Sequence, residues 1–256
     1  MNGLVLHLQG PMMSFGDTGF GQLREAGDFP SRSVVIGIIA AALGIQRGDW
    51  RLLELHANLR VHVAVVATGS LQIDYHTVKP AGYEDHPSGL YRRTLPGVNS
   101  VQTYRGYHVD AHHVTLVEGD DPALVSECRR ALADPVYTAF IGRRSCPPAT
   151  PLQPGDAEGA TPVDALATAV IHGLKLRHLT APRLARRLKR NHVTGYLDGD
   201  FSDTASASIV SHRRDFLVAL PRSYVNRTVT QVDIQLPAFE FTASPPTNEE
   251  FFHAAS

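Results

Sequence analysis

Two cysteines, Cys128 and Cys146, are all that the 256 residues contain, and no C-x-x-C spacing joins them. That argues against a zinc ribbon or a disulfide framework and fits a reducing compartment. Long hydrophobic runs are also missing. The most apolar stretch, Val34 to Leu43, falls well short of the ~20 residues needed to cross a bilayer. The opening residues lack a basic region leading into an apolar run, so no secretory signal is expected. Together these absences point to a cytoplasmic protein with no membrane partner. Lysine is scarce as well. Only Lys79, Lys175 and Lys189 occur, and the other 21 basic residues are arginine. The net charge of −1 gives the molecule no overall pull on nucleic acid. Arginine forks onto phosphates and stacks on bases, but a GC-rich coding bias explains much of the ratio.

Hydrophobic residues at 43% and charged residues at 19% are ordinary for a globular chain, which at this length can bury a sizeable core. Leu4, Leu6 and Leu8 alternate as a first strand, ended by Gly10-Pro11. After a glycine-rich loop, Pro30-Ser31 opens a helix over the apolar run 34–43, stopped by Gly44. Arg60–Ala67 reads as a second strand. Leu71–Val78 reads as its hairpin partner across Thr68-Gly69-Ser70. Residues 79–106 form a long excursion rich in Gly, Pro, Tyr and Arg, of the length that is usually functional or disordered. Tyr107–Val117 returns as a strand. Asp121-Pro122 opens a helix with cap and first-position proline. Val136–Ile141 reads as a further strand.

This β-α-β-β-β-α-β order predicts an α+β, ferredoxin-like domain over residues 1–148 with an inserted hairpin at about 79–106. Residues 149–163 read as a linker or surface loop. A small C-terminal subdomain is expected over 149–236, with a helix over 164–174, a short basic helix over 183–191, and strands over 201–211, 216–220 and 228–236. Residues 237–256 read as a flexible tail.

Several segments carry a resemblance. They are Leu8-Gln9-Gly10-Pro11-Met12-Met13-Ser14-Phe15-Gly16, Phe29-Pro30-Ser31-Arg32-Ser33, and Ala42-Leu43-Gly44-Ile45-Gln46-Arg47. Further along come Asp74-Tyr75-His76-Thr77-Val78, Gln102-Thr103-Tyr104-Arg105 with Tyr107, Gly142-Arg143-Arg144-Ser145-Cys146-Pro147, and Leu220-Pro221-Arg222. In that order they resemble the CasD family of type I-E CRISPR Cascade subunits, within the RAMP superfamily. The resemblance implies an RNA-recognition-like domain with a hairpin thumb. It implies a non-catalytic subunit in antiviral defence that binds the 5′ handle of the guide RNA (crRNA). It also implies contacts with the backbone subunit and the large PAM-reading subunit, and with target DNA through the complex. No cofactor or metal is expected. The segment 160–193 and residues beyond 235 depart from the shorter family members.

The candidate RNA-binding residues follow from chemistry and this resemblance together. Arg143 and Arg144 follow a glycine and could grip a phosphate or a splayed base, where the bland alternative is two solvated arginines. Arg32 and Ser33 stand at a helix N-terminus that favours an anion, where the bland alternative is simple capping, which Ser31 alone would explain. Arg24 lies in the glycine-rich loop. Lys79, Arg92, Arg93, Tyr104 and Arg105 interleave charge with rings, as single-stranded RNA or a protein-docking arm would require. Arg183, Arg186, Arg187 and Arg190 share one helical face and form either a DNA phosphate track or a solvated surface. His112 and His113 are adjacent in a strand, point to opposite faces and cannot share a metal. Tyr75, His76 and Lys79 supply the groups a metal-independent repeat-RNA endoribonuclease would need. That enzyme is the alternative function, and a pure protein adaptor is a third. Cys146 reads as a small buried residue.

Overall fold

Side chains in a strand alternate between faces. In β1 (Gly3–Gln9) Leu4, Leu6 and Leu8 are buried on one face and Val5 on the other, so β1 is covered on both sides. The computed structural model describes residues 3–16, 22–78, 83–85, 92–94, 100–177, 191–204, 206–217 and 223–237. After β1 come β2 (Met12–Met13), β3 (Leu23–Arg24), α1 (Arg32–Ala42), α2 (Arg51–Asn58), β4 (Leu59–Ala67) and β5 (Ser70–Val78). Then follow β6 (Tyr83–Asp85), β7 (Arg92–Thr94), β8 (Val101–Val109), β9 (His112–Gly119), α3 (Pro122–Ala133) and β10 (Gly155–Asp156). The last elements are α4 (Pro162–Arg177), β11 (His192–Asp198), β12 (Ala207–Leu217) and β13 (Ser223–Gln235).

The result is a mixed α/β protein built on antiparallel pairing. A seven-stranded sheet runs β10-β1-β9-β4-β11-β13-β12. One core cluster joins Leu4, Leu6 and Leu8 to Val35, Ile36 and Ile39 of α1 and to Val125, Cys128 and Leu132 of α3. A second cluster on the opposite face joins Val5, Val114 and Leu116 to Leu166 and Val170 of α4. The sheet is therefore a layer between helices, and fully burying each of these large side chains contributes about 1.5–3 kcal/mol.

Helix punctuation behaves as the residues dictate. Asp121 caps α3, its side chain accepting from the Ala123 N–H at 2.8 Å, and Pro122 takes the first turn. Gly44 ends α1 at φ +72°, a conformation glycine adopts without penalty, with the Val136 side chain packed where a Cβ would stand. Ser31 occupies the N-cap position of α1 without a side-chain cap bond; its carbonyl accepts the Val34 and Val35 N–H groups. The C-terminal expectation of a helix over 164–174 corresponds to α4.

Several expectations need correction. Residues 136–141 form no strand: the Val136 and Tyr137 N–H groups bond to the last-turn carbonyls of α1, Ala42 and Ala41. The neighbour of β1 on that side is instead β10, inside the stretch read as a linker. Second, β5 does not pair with β4. It pairs with β8 from Ser70↔Val109 to Val78↔Val101, while β4 lies between β9 and β11. Gly69, at φ +71° and pressed against Val109 and Ala111, turns the chain out of the central sheet there. Third, the expected strand 107–117 is two strands, broken at Asp110, which has φ +62°. Fourth, the 148/149 boundary is no break in the sheet, because β11 pairs with β4 and β10 with β1. The two expected strands 201–211 and 216–220 are the single strand β12, and the last strand begins earlier, at Ser223. α2, absent from the sequence reading, packs Leu52, Leu55 and His56 inward. The basic segment 183–190 and the tail beyond 237 lie outside the described residues.

Candidate nucleic-acid interface

β5 and β8 form a long antiparallel hairpin, with β2 and β3 also paired to β8. Period-two alternation gives the hairpin two unlike faces. Gln72, Asp74 and His76 share one face with Arg105 and Tyr107. Leu71, Ile73 and Tyr75 share the other with Tyr104, and Leu23 pairs beside Tyr104. All five of these apolar and aromatic residues are exposed, Leu71 and Ile73 at 60%.

The polar face is one wall of a groove of about 610 Å³. The opposite wall is the loop Gly142-Arg143-Arg144-Ser145, and Arg47, just past α1, lines the groove as well. The loop is held hard. The Ser14 N–H bonds to the Ile141 carbonyl at 3.2 Å, the Ile141 N–H to the Cys146 carbonyl at 2.7 Å, and the Ser14 hydroxyl to the Gly106 carbonyl at 2.9 Å. Gly142 has φ +94°, and a Cβ there would overlap the Ser14 carbonyl oxygen, so only glycine fits. Arg143 donates to the Gly106 carbonyl at 3.2 Å and to the Arg24 carbonyl at 3.1 Å, and its guanidinium stacks over Tyr107. Arg143 therefore staples the loop to β8 and β3. Arg105 donates to the Thr103 hydroxyl at 3.3 Å. Arg144 and Arg47 are exposed and have no ion-pair partner among the described residues, so their charges face the groove uncompensated. The one carboxylate in the groove wall, Asp74, pairs with His76 at 2.5 Å. Cationic forks around a shallow trough, with rings at its wall, suit a phosphate backbone.

A family model for CRISPR-associated proteins of the Cas5 type (Cas_Cas5) matches residues 3–214. The chain belongs to the CRISPR-associated Cas5 family. CRISPR system Cascade subunit CasD of Escherichia coli (strain K12) is 35% identical over 176 residues, 64% of this chain and 75% of that protein. A chain of a solved CRISPR RNA-guided surveillance complex matches with a TM-score of 0.63 at 24% identity, covering 99% of this chain and 100% of that one. The crystal structure of a Cas protein matches with a TM-score of 0.59 at 23% identity over 95% of this chain and 100% of the other. At those identities the two structural likenesses carry the fold.

In this Cas5 chain the expected site residues divide. Arg105, Arg143 and Arg144 line the groove, Arg24 is exposed on the adjoining β3, and Tyr104 lies on the apolar face of the hairpin. Arg32 does not face solvent, which corrects the expectation. Its guanidinium lies 3.3 Å from Asp198 and donates to the Leu59 carbonyl at 2.6 Å and to the His56 carbonyl. Arg227 holds the other oxygen of Asp198 at 3.0 Å. The charge at the start of α1 is thus spent inside the fold, tying α1, the end of α2 and β11 together. Ser33 is half-buried in the same turn. The backbones of Arg92 and Arg93 lie in β7, paired with β6. Lys79, Arg183, Arg186, Arg187 and Arg190 fall outside the described residues. Arg47 and Gln72 were missed. Arg47 sits just after the Gly44 stop, and its place at the end of the Ala42–Arg47 segment that carries the resemblance was the signal that could have found it.

Tyr75 and His76 occupy opposite faces of β5: His76 lines the groove, while the Tyr75 ring lies 5.5 Å from Tyr104 on the other side. Cys146 and Cys128 are buried, and burial pushes both thiols up, Cys128 to about 12. His112 lies near His7, and His113 meets the edge of Phe15 on the other face. Among the described residues no three His, Cys, Asp or Glu side chains gather as metal ligands, and no helix is long and apolar enough to cross a membrane.

Proposed function

We propose that this chain is the guide-RNA-holding subunit of a type I-E Cascade complex and does not cut RNA. The observation that carries this is the groove itself, where Arg47, Arg105 and Arg144 converge on a trough walled by the rigid Gly142–Ser145 loop. The likeness to CasD supplies the kind of assembly. The order β10-β1-β9-β4, with α1 following β1 and α3 following β9, supports a reading as a ferredoxin-like, RNA-recognition-like domain with the β5–β8 hairpin as its thumb. The 5′ handle runs through the groove with phosphates on the arginines. The exposed apolar face of the thumb, Leu71, Ile73 and Tyr75, docks a neighbouring protein, either the backbone subunit or the large PAM-reading subunit. Target DNA meets the chain only within that assembly.

The metal-independent endoribonuclease is the weaker reading. It needs a base and an acid on the same side of the scissile phosphate, and Tyr75 and His76 face apart. The test is incubation of the full chain with its repeat RNA in EDTA, read on native and denaturing gels. Intact RNA with a shift that depends on the 5′-handle sequence supports the proposal. A defined cut at the repeat hairpin overturns it.

A further inference from the structure

The groove does not end at Arg47. A second hollow of about 510 Å³, open and mainly polar, lies beyond it and is lined by Gly44, Gln46, Arg47, Asp49, Trp50 and Arg51. Arg47 lines both hollows, so the two adjoin at this one cation. Glycines at φ +72° (Gly44) and +86° (Gly48) fix the turn between α1 and α2 that presents these side chains.

Trp50 is 65% exposed, among the most exposed large hydrophobic side chains described. It occupies the N-cap position of α2 through its carbonyl alone, accepting the Leu53 N–H at 2.9 Å; the side chain makes no cap bond. The local fold therefore does not require an indole here. The charge around it is arranged to one end. Asp49, the one acid in the lining, is clamped by Arg51, whose Nη2 and Nε lie 2.7 and 3.1 Å from one carboxylate oxygen, and its charge is neutralised locally. Arg47 is left as the unopposed cation. A phosphate-binding arginine next to an exposed aromatic plane is the combination that holds single-stranded nucleic acid, charge on the backbone and ring on a base.

We infer that Trp50 is a base-stacking platform that extends the RNA track past Arg47, so that one nucleotide of the strand leaving the groove stacks on the indole. This rests on the RNA-binding reading of the groove. It adds a subsite and a ligand chemistry, an unpaired nucleobase. A protein partner fits the hollow less well, since its lining is mainly polar and offers no apolar floor for an anchor residue.

Trp50 is the only tryptophan in the chain, so its fluorescence reports this site alone. The full-length protein is titrated with single-stranded RNA carrying the repeat-derived 5′ segment, following gel shift and tryptophan emission together. The expected result is quenching that saturates with the shift, affinity weakened about tenfold in Trp50→Ala, and near wild-type affinity in Trp50→Tyr, which keeps a stacking ring. RNA binding with unchanged emission, or with equal affinity in Trp50→Ala, overturns the platform and leaves the groove intact. Emission that responds to a neighbouring Cascade subunit without RNA, and not to RNA, overturns it in favour of a protein contact. No RNA binding by any variant sinks the groove reading and the platform with it.

Discussion

The guanidinium of Arg143 lies 4.7 Å above the ring of Tyr107 while donating to two backbone carbonyls. Of the two neighbouring arginines, one is thereby a structural staple and the other, Arg144, is free among the described residues to meet a ligand. Substitutions at the two positions should have different signatures. Arg144→Glu should leave thermal stability within about 0.5 kcal/mol. It should weaken RNA binding several-fold and lower the salt dependence by roughly one phosphate contact. Arg143→Glu should lower both stability and binding. Equal effects in both assays for the two variants would contradict this division.

Gly142→Ala places a methyl against the Ser14 carbonyl at a positive φ. A destabilisation of about 2–3 kcal/mol is expected in urea denaturation, accompanied by loss of RNA binding as the arginine loop shifts. A wild-type midpoint would show that the loop yields more easily than its packing implies.

Asp198→Asn leaves Arg32 and Arg227 facing each other without their shared carboxylate. Removing one partner from a buried ion network costs about 3 kcal/mol or more. The same change at Asp74, whose side chain is 52% exposed in its pair with His76, should barely move the melting temperature.

Acid should loosen the core well before it protonates most carboxylates. Burial, and then the charge of His108, holds His113 down at about 3; burial, then Arg32 and Arg227, holds His56 down at about 4. In the unfolded chain both titrate near 6.5, so between these values the unfolded state binds more protons and stability rises with pH. The stabilisation is complete above about pH 6.5 and is lost as pH falls towards 4 and then 3, by roughly 1.4 kcal/mol per unit for each histidine. Denaturation midpoints measured from pH 7 to 4.5 should fall steadily in wild type and less steeply in His113→Leu.

Ile73→Asp, on the apolar face of the hairpin, should fold and shift RNA as wild type does while failing to enter a reconstituted complex. Normal incorporation would assign that face no partner.

Legibility in the sequence followed local chemistry. α1 and α3 could be read because Pro30-Ser31, Gly44 and Asp121-Pro122 punctuate them, and β1 because its leucines alternate. α2 was legible in principle, since Leu52, Leu55 and His56 recur at helical spacing. The split between β8 and β9 was not, because the turn at Asp110 is made by a non-glycine residue at positive φ inside an otherwise strand-like run. Val136 and Tyr137 carry strand-forming side chains but are held by carbonyls of α1, a tertiary choice that outweighs propensity. Of the site, Arg105, Arg143 and Arg144 stood within recognisable segments. Arg32 was misread because its partner, Asp198, is more than 160 positions away, and no local pattern shows that pairing.

The pairing of Val63, Ala64 and Val65 with Tyr196, Gly195 and Thr194 bears on the order in which the chain is made. During synthesis β4 leaves the ribosome about 130 residues before β11, and until then one edge of an apolar strand has no partner. Contacts so distant in sequence close slowly. The nascent chain therefore passes through a waiting period in which its central sheet can recruit a stray strand, and an abbreviated chain ending near residue 148 never leaves that period.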